Sequence, residues 1–267
     1  MRSSLHLLFL IIICSVNVSS GQVLKLKTDK EQKDAYGITY LLQKAGKGKY
    51  INKGDKIRLH YRGTLVDDRP FDNSYDRGQP FEFIVGMGQV IDGWDKAFLN
   101  LHGGDKVKLT IPPDLGYGNT PMPKIPEGSY LVFDIEILEV FPDFAPKPFS
   151  LKGKEKRTTN SGLEYYIIEE GIGDAPVRSK TVEVHYTGFL ENGDIFDSSV
   201  LKGQPISFRL GVGMVIPGWD EGIGLLKPGG KALLSIPYQL AYGENGRPPK
   251  IPAKSRLIFN VELISVK

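Results

Sequence analysis

Several aromatic residues and one aspartate recur in this chain at a constant offset, and residues of these types can form a binding pocket. Tyr61 is found again 125 positions later at Tyr186, and Trp94 is found again at Trp219. The recurring set is Tyr61, Phe71, Asp72, Trp94 and Tyr117 in the first copy and Tyr186, Phe196, Asp197, Trp219 and Tyr242 in the second. Aromatic rings with a few placed polar groups are typical of pockets that bind apolar ligands. The alternative is that the rings are core residues and that each aspartate caps a turn.

The remaining residues give little support to other kinds of chemistry. The four histidines show no spacing, with cysteine or with one another, that suits a metal ion. The Gly86-x-Gly88 and Gly211-x-Gly213 pairs lack the third glycine of a dinucleotide-binding loop, and no phosphate loop occurs. No nucleophile with a base and an orienting group recurs in both copies. We therefore expect no metal and no cofactor, and the formal net charge of +3 is too small to indicate a nucleic-acid partner.

Two copies of one domain explain the recurrence. A period of 125 residues is too long for a solenoid, whose repeats span about 20–50 residues, and each copy is long enough to bury its own core. We divide the chain into a signal peptide at 1–21, a short flexible lead-in at 22–35, a first domain at 36–141, a linker at 142–160 and a second domain at 161–267. Three prolines stiffen the linker, and its phenylalanines are able to pack against a domain.

The first residues predict a protein of the secretory pathway. Arg2 precedes the apolar run at 7–13, and small residues follow at 18–21, which is the order found in signal peptides. Because this run is too short to span a bilayer comfortably, we expect no stable membrane anchor, and an uncleaved anchor is the alternative. Cys14 is the only cysteine and would leave with the signal peptide, so the domains would fold without disulfides. The last residues are not an ER-retention signal, so the ER lumen and the extracellular space are both consistent with the sequence.

The elements that must position the recurring residues are mostly strands. Apolar and polar residues alternate at 56–61, 106–111 and 130–140, and again in the second copy. One segment has helical spacing instead, with apolar residues at Ile91, Trp94, Phe98 and Leu101 before Gly103-Gly104, and its counterpart runs from Ile216 to Gly229-Gly230. Each copy is therefore predicted to be α+β, with one short helix against the apolar face of an antiparallel sheet.

The ordered motifs HYTG, FDSS, VIPGWD, AYG and LIFNVEL, with their counterparts in the first copy, resemble those of the FK506-binding (FKBP) family of peptidyl-prolyl cis-trans isomerases. The resemblance covers about 36–141 and 161–267. It implies two tandem FKBP-like domains, each an antiparallel β-sheet wrapped on one short α-helix. It also implies an enzyme that isomerises X–Pro bonds in proline-containing polypeptides and that binds macrolides such as FK506 and rapamycin.

Roles at the matching positions follow from this resemblance. Trp94 and Trp219 would form the floors of two shallow pockets, and the amide of Ile91 or Ile216 would donate to a substrate carbonyl. The substrate-binding residues implied are Phe81, Val90, Ile91, Ile125 and Phe133 in the first pocket and Ile206, Val215, Ile216, Ile251 and Phe259 in the second. The other recurring residues, including both aspartates, complete the catalytic set. None is expected to act as a general acid or base.

The two copies differ where the pocket would be. Phe81 in the first copy corresponds to Ile206 in the second. Met122 at a loop tip of the first copy corresponds to Arg247 at the matching tip of the second. Methionine suits an apolar flank of a substrate, whereas Arg247 and Lys250 add charge. We therefore expect both copies to fold and bind, and the first to be more active on apolar X–Pro peptides.

Two alternatives to an enzyme remain at this stage. One or both domains could bind proline-containing peptides without turnover, as a chaperone module. A purely structural tandem, with the aromatics as core residues only, is the other alternative. Client proteins, oligomeric state and the relative orientation of the domains are not predicted by the sequence.

Overall fold

The computed structural model describes residues 24–267, so the predicted signal peptide at 1–21 lies outside the described residues. The chain divides into two compact units between Ala145 and Pro146. Each unit is described by itself below. Within 24–267, no helix has the length and apolar character needed to cross a membrane.

The first unit is a seven-stranded antiparallel sheet with one short helix. The strands follow the order β1-β2-β6-β7-β3-β4, and β5 also pairs with β3. They are β1 Glu31–Lys33, β2 Thr39–Lys44, β3 Lys56–Leu65, β4 Pro70–Asn73, β5 Phe81–Ile84, β6 Lys106–Ile111 and β7 Leu131–Phe141. The helix α1 Asp92–Ala97 lies between β5 and β6 in the chain and continues as a 3-10 turn at Phe98–Asn100. Alternate residues of β6 are buried, as the period of two predicted, and face the core that includes Trp94 and Phe98.

The second unit repeats this topology. Its strand order is β11-β10-β14-β13-β9-β8, and β12 also pairs with β10. The strands are β8 Arg157–Thr158, β9 Glu164–Glu169, β10 Thr181–Leu190, β11 Ile195–Ser198, β12 Ile206–Arg209, β13 Lys231–Ile236 and β14 Leu257–Val266, and the helix is α2 Pro217–Ile223. The predicted fold class of two antiparallel sheets, each with one short helix, is thereby confirmed.

The first helix is shorter than its apolar spacing predicted. The periodic residues extend to Leu101, but α-helical structure ends at Ala97. The next residues tighten into a 3-10 turn, in which the N–H of Leu101 donates to the carbonyl of Phe98 at 3.1 Å. Leu101 itself is extended, so the helix stops before the Gly103-Gly104 pair that we took as its end. Leu101 is buried all the same, because the turn delivers it to the same core.

The expectation of a flexible lead-in is wrong for residues 24–34. Strand β1 pairs with β2 at the edge of the first sheet, and Leu24 and Leu26 pack against the core. The N–H of Leu24 donates to Asn100 Oδ1 at 2.8 Å. Asn100 and Asp34 both bond the buried hydroxyl of Tyr40, at 3.0 and 2.8 Å. The lead-in shows no clear periodicity because two leucines, side-chain hydrogen bonds and a three-residue edge pairing hold it in place, and these contacts form no long alternating pattern.

Both ends of the predicted linker are attached to a neighbouring domain. The amides of Phe144 and Ala145 donate to the carbonyl of Gly54 at 2.9 and 2.8 Å, within the first unit. In the second unit, the side-chain amide of Asn260 donates to the Lys147 carbonyl at 2.7 Å and accepts from the Phe149 amide at 2.9 Å. We call residues 147–151 the clasp. Phe149, one of the linker phenylalanines able to pack against a domain, lines a cavity together with Leu233 of the second sheet.

The clasp covers an apolar patch on the face of the second sheet that points away from the core. Phe189 and Leu233 are buried there, although neither belongs to the core cluster. A cavity of about 280 Å³ remains beside the clasp, with a lining that includes Pro148, Leu151 and Leu233. The first sheet is polar at matching positions. Strand pairing aligns Lys108 with Asp134 where the second sheet has Leu233 with Asn260, and strand pairing likewise puts Thr64 where the second sheet has Phe189.

Candidate functional site

The centre of the first candidate site is Trp94, which the start of α1 places against the sheet. Its ring centroid lies 5.1 Å from that of Tyr61 and 5.0 Å from that of Phe133, in edge-to-face contacts. The ring centroid of Phe81 lies 6.0 Å from that of Trp94, and the ring centroid of Phe71 lies 5.6 Å from that of Phe133. Aromatic pairs at such distances stabilise one another beyond the area that they bury. The structure therefore brings these five predicted residues into one group.

A loop held by one carboxylate sets the start of the helix. Asp95 Oδ1 accepts from the amide of Gly86 and Oδ2 accepts from that of Gly88, both at 2.8 Å. Asp220 does the same for Gly211 at 2.8 Å and Gly213 at 2.9 Å. Burial raises the pKa of Asp95, and the two amide hydrogen bonds oppose that rise. This arrangement positions the residues that follow the loop, Val90 and Ile91, which pack at the edge of the core.

A glycine in each HYxG motif makes room for a ring of the site. A Cβ on Gly63 would stand 2.7 Å from the Phe71 ring and 3.1 Å from Phe133. A Cβ on Gly188 would stand 2.5 Å from Phe196. Real Cβ atoms do not approach rings this closely, so these strand positions require glycine for the phenylalanine to lie flat against the strand.

The predicted carboxylate is part of a hydrogen-bonded group at the edge of the aromatic cluster. The hydroxyl of Tyr61 donates to Asp72 Oδ2. The guanidinium of Arg77 bonds both residues, donating from Nη1 to Asp72 and from Nη2 to the Tyr61 hydroxyl at 2.8 Å. The guanidinium also lies 5.5 Å from the centroid of the Tyr61 ring. Asp72 is thus a hydrogen-bonding residue, and not only a turn cap.

The protonation states follow from these contacts. Burial raises the pKa of Tyr61 to about 12, and its hydrogen bond to Asp72 adds to the rise. Burial also acts to raise the pKa of Asp72, but the hydrogen bonds from Tyr61 and Arg77 outweigh it and leave that pKa below its ordinary value. At neutral pH the pair is therefore a phenol and a carboxylate. Neither is poised to exchange a proton.

The second site repeats the first with fewer rings. Tyr186 and Phe259 contact Trp219 edge-on, with centroids at 4.9 and 5.3 Å. Phe196 contacts Phe259 at 5.4 Å, while aliphatic Ile206 packs at the edge of the core. The hydroxyl of Tyr186 donates to Asp197 Oδ2, and Lys202 pairs with the other carboxylate oxygen. Burial and the contact with Asp197 raise the pKa of Tyr186. For Asp197, burial raises the pKa, but the bonds from Lys202 and Tyr186 bring it below its ordinary value.

The remaining predicted residues fall into two groups. Ile125 and Ile251 are buried in their clusters, and Val215, Ile216 and Tyr242 pack at the edge of the second. Tyr117 is different, since 37% of it is exposed and it stands outside the first cluster. The two loop tyrosines are therefore not equivalent, although the sequence treats them as a matched pair.

Several polar groups of the two sites have no protein partner. The indole N–H of Trp94 and that of Trp219 are buried without a hydrogen bond in the described part of the chain. The backbone amides of Ile91 and Ile216 likewise make no hydrogen bond with any residue of 24–267. Buried polar groups are nearly always satisfied, so the two unpartnered indole N–H groups, at matching places in both copies, are exceptions to that rule. The amides of Ile91 and Ile216 are donors without a protein partner at the partly exposed edge of each cluster.

Sequence reasoning missed three kinds of residue here. Arg77 and Lys202 bond the carboxylates, Phe83 and Phe208 pack on the tryptophans, and Asp95 and Asp220 hold the loops. The two members of each pair are 125 residues apart, which is the offset of the predicted set. A complete comparison of the copies would have found them.

Comparison with known proteins agrees with this arrangement. Residues 47–138 and 173–264 match the family model described as FKBP-type peptidyl-prolyl cis-trans isomerase. Peptidyl-prolyl cis-trans isomerase FKBP10 of Mus musculus is 34% identical over 232 residues, which is 86% of this chain and 38% of that protein. Peptidyl-prolyl cis-trans isomerase FKBP9 of Mus musculus is 32% identical over 217 residues, which is 81% of this chain and 36% of that protein.

A solved structure with similarity over most of the chain is the crystal structure of the three FKBP domains of wheat FKBP73. It is 26% identical, covers 86% of this chain and 95% of that one, and has a TM-score of 0.40. The chain spans well under half the length of the two mouse relatives.

Proposed function

Because both matched regions together cover more than half of its length, the chain belongs to the FKBP-type peptidyl-prolyl cis-trans isomerase family, and we propose that it isomerises X–Pro bonds in proline-containing polypeptides. The observation that carries this proposal is the buried aromatic cluster around Trp94, repeated around Trp219, with an amide free of partners at the start of each helix. Each cluster offers an apolar surface with one donor.

Such a surface is able to catalyse rotation about an amide without bond cleavage. Resonance gives the peptide bond a barrier of about 18–20 kcal/mol, and X–Pro bonds exchange over tens to hundreds of seconds. Water stabilises the planar amide, whose carbonyl oxygen carries partial negative charge. A dry aromatic pocket removes that stabilisation, and the twisted amide, with its smaller dipole, loses less. The transition state is therefore bound more tightly than the ground state, which lowers the barrier.

We assign the roles of the first pocket on this basis. Trp94 is the floor on which the proline ring rests, and Phe71, Phe81 and Phe133 are its walls. The backbone amide of Ile91 donates a hydrogen bond to a carbonyl oxygen of the substrate near the twisted bond. Tyr61 and Asp72 orient the ligand at the rim, and neither transfers a proton, because the pKa of Tyr61 is about 12 and that of Asp72 is below its ordinary value. The equivalent residues of the second pocket have the same roles.

The setting of this activity is a further part of the proposal. Family members bind proline-containing substrates and FK506 or rapamycin, and we extend both to this chain. The signal peptide predicted at 1–21 favours a role in protein folding in the secretory pathway or outside the cell.

Catalysis of cis-trans exchange in a short Leu-Pro peptide, followed by exchange NMR, tests the proposal. The full chain from residue 22 should accelerate exchange, and FK506 should abolish the acceleration. Trp94→Leu and Trp219→Leu should each remove the contribution of one pocket, and the double variant should retain none while keeping its sheet content by circular dichroism. A folded double variant that is as active as the parent would refute the assignment of both pockets.

The runner-up function is a non-catalytic module that binds proline peptides in one or both domains. Apolar floors and unpartnered amides serve binding as well as turnover. The two functions separate when one titration measures both peptide affinity and exchange rate. If a variant with one pocket silenced binds the peptide but does not speed its exchange, the remaining pocket is a non-catalytic binding site.

A further inference from the structure

A positive side chain stands over the tyrosine of the second pocket. The guanidinium of Arg247 lies 5.8 Å from the ring centroid of Tyr242. Tyr242 packs against the same core cluster as Trp219. A tight backbone bridge fixes the position of Arg247: its amide donates to the Ile251 carbonyl at 2.8 Å, and the Ile251 amide returns a bond at 3.0 Å. Ile251 itself is buried, so the loop tip is anchored to the core.

The charge on this loop is only partly neutralised. Lys254 pairs with Glu244 at 2.7 Å in the same loop. Arg247 and Lys250 form no ion pair with any described residue, and both are exposed. Lys202, the cation that bonds the carboxylate of this pocket, is paired with Asp197. Two positive charges at the tip of the loop are therefore available to a ligand.

The first pocket provides an internal comparison, because its matching loop lacks this excess. Met122 stands at the tip in place of Arg247 and makes the same backbone bridge, to Ile125. Residues 118–129 carry Lys124 against Glu127, for a net charge of zero. The matching residues 243–255 carry Arg247, Lys250 and Lys254 against Glu244, for a net charge of +2. Both tips close with this backbone bridge, although the second tip holds one more residue between the bridged pair. The side chain at the start of the bridge differs in charge, with Met122 in the first pocket and Arg247 in the second.

We propose that the second pocket selects proline segments in which an anionic side chain flanks the proline, and that Arg247 is the residue that determines this specificity. The inference rests on the proposed function of the pockets as X–Pro sites. The planar guanidinium matches a carboxylate or a phosphate with two parallel hydrogen bonds, which a lysine does not provide. Its position over Tyr242 presents those donors beside the aromatic cluster, whereas Met122 offers the first pocket only an apolar contact.

The size of the effect follows from exposure. An ion pair at the surface contributes up to about 1 kcal/mol, which is a factor of about five in a rate or binding constant. The preference should also weaken as salt is added, because exposed charges are screened over about 8 Å at physiological ionic strength. A specificity of this kind sorts substrates without changing the chemistry of the pocket.

The experiment uses the full chain with one pocket silenced. Trp94→Leu leaves the second pocket as the site measured, and Trp219→Leu leaves the first; Asp72→Val and Asp197→Val replace them if a tryptophan variant does not fold. Matched peptides carry Glu, Gln, Lys or phosphoserine beside the proline. For each, kcat/KM and Kd are measured at low and high salt, with Arg247→Met in the second pocket and Met122→Arg in the first.

We expect the second pocket to prefer Glu over Lys by about fivefold at low salt. Arg247→Met should lower that ratio, and the exposed Lys250 accounts for any preference that remains. Met122→Arg should create a similar preference in the first pocket. Lys254→Met removes a charge that Glu244 already neutralises and should move the ratio less. The ratio of the Glu to the phosphoserine peptide identifies which anion is preferred, and either preference over Gln supports the proposal.

The inference and the function on which it rests fail in different ways. If the Gln peptide is neither bound nor turned over by either pocket, the proposed function is wrong. If the second pocket accepts the Gln peptide but its ratio of Glu to Lys stays the same in Arg247→Met, the pocket stands and the specificity is refuted. An unchanged ratio in Met122→Arg, with the variant folded, would count against the loop tip as its determinant.

Discussion

At the scale of single residues, the two pockets differ most in how a cation meets the tyrosine and the aspartate. Arg77 bonds both Asp72 and the Tyr61 hydroxyl and lies over the Tyr61 ring. Lys202 makes one contact, with Asp197. A guanidinium is able to bridge two acceptors in one plane and an ammonium is not. The rim of the first pocket is therefore the more firmly held of the two.

The pH dependence of the first pocket follows from Asp72 and Tyr61. The pKa of Asp72 is depressed in the fold, so its hydrogen bonds stabilise the site above its unfolded pKa of about 3.9 and are lost as the pH falls through the lower, folded value. The pKa of Tyr61 is raised to about 12, so its contribution is complete below about 10 and is lost as the pH rises through 12. We therefore expect that titration of Asp72 and Tyr61 causes no change in isomerase activity between about pH 5 and 9.

Isomerase activity of Trp219→Leu, measured from about pH 3 to 10, tests this expectation in the first pocket alone. Asp72→Asn in the same background serves as the control, because it should lower activity and remove the fall in activity at acid pH that titration of Asp72 causes. A bell-shaped profile centred near neutrality that disappears in Asp72→Asn would show that the carboxylate does transfer a proton, against the mechanism proposed here.

At the scale of elements, the loop before each helix is the part of the site that a single side chain holds. We expect Asp95→Ala to leave the amides of Gly86 and Gly88 without their acceptor and to destabilise the first unit by about 2–3 kcal/mol. The activity of the first pocket should fall with it, since Val90 and Ile91 follow this loop. Calorimetry and the exchange assay measure the two effects.

Asp92→Ala is the matched control for that variant. Asp92 is an exposed acidic residue in the first turn of the same helix, so its loss removes a similar charge from the helix end without touching the loop. Equal destabilisation by the two substitutions would mean that helix electrostatics, and not the loop hydrogen bonds, carry the effect.

The outer face of each sheet is the second feature at this scale. Asn260 both donates to the clasp and accepts from it, which an aspartate cannot do. Asn260→Asp should therefore destabilise the second unit by about 1–3 kcal/mol and speed hydrogen exchange at the Phe149 amide. The converse substitution in the first unit, Asp134→Asn, only breaks an exposed pair with Lys108 at 3.6 Å and should change stability by less than about 1 kcal/mol. Similar losses in both variants would argue against a structural role for the clasp.

At the scale of the whole molecule, the contacts of the connecting residues determine where each unit must be cut. The domain limits at 36–141 and 161–267 stay a prediction, and we propose wider units of 24–145 and 146–267. Residues 24–34 pair with the first sheet, and the clasp covers Phe189 and Leu233 of the second. A fragment that begins after the clasp would expose this apolar patch to water.

Fragments 146–267 and 155–267 test the wider limit. The shorter one should melt at a temperature lower by several degrees, because it loses the Asn260 hydrogen bonds and the cover over Leu233. It should also bind a dye for exposed apolar surface more strongly. Equal melting temperatures would restore the earlier limit and reduce the clasp to a surface contact.

The amino-acid sequence by itself determined the duplication and the fold class, and it predicted the large side chains of each aromatic cluster. Strand and helix periods are local properties of the chain, and a constant offset between large side chains survives without any knowledge of contacts. Tyr61, Phe71, Phe81, Trp94 and Phe133 were therefore identifiable, and they do meet. The lead-in and the early end of α1 were not, because hydrogen bonds between distant residues, such as Leu24 with Asn100, leave no periodic trace.

Only the tertiary structure decided what each polar group does. Arg77 is one charge among many in the sequence until folding places it against Asp72 and Tyr61. Asn260 forms hydrogen bonds with the clasp only because strand pairing places it beside Leu233 on the outer face of the sheet. Arg247 acquires its proposed role in selection because its guanidinium lies over the Tyr242 ring. Burial follows from apolar pattern, which is written along the chain, whereas the partner of a polar side chain is fixed by distance and direction in space.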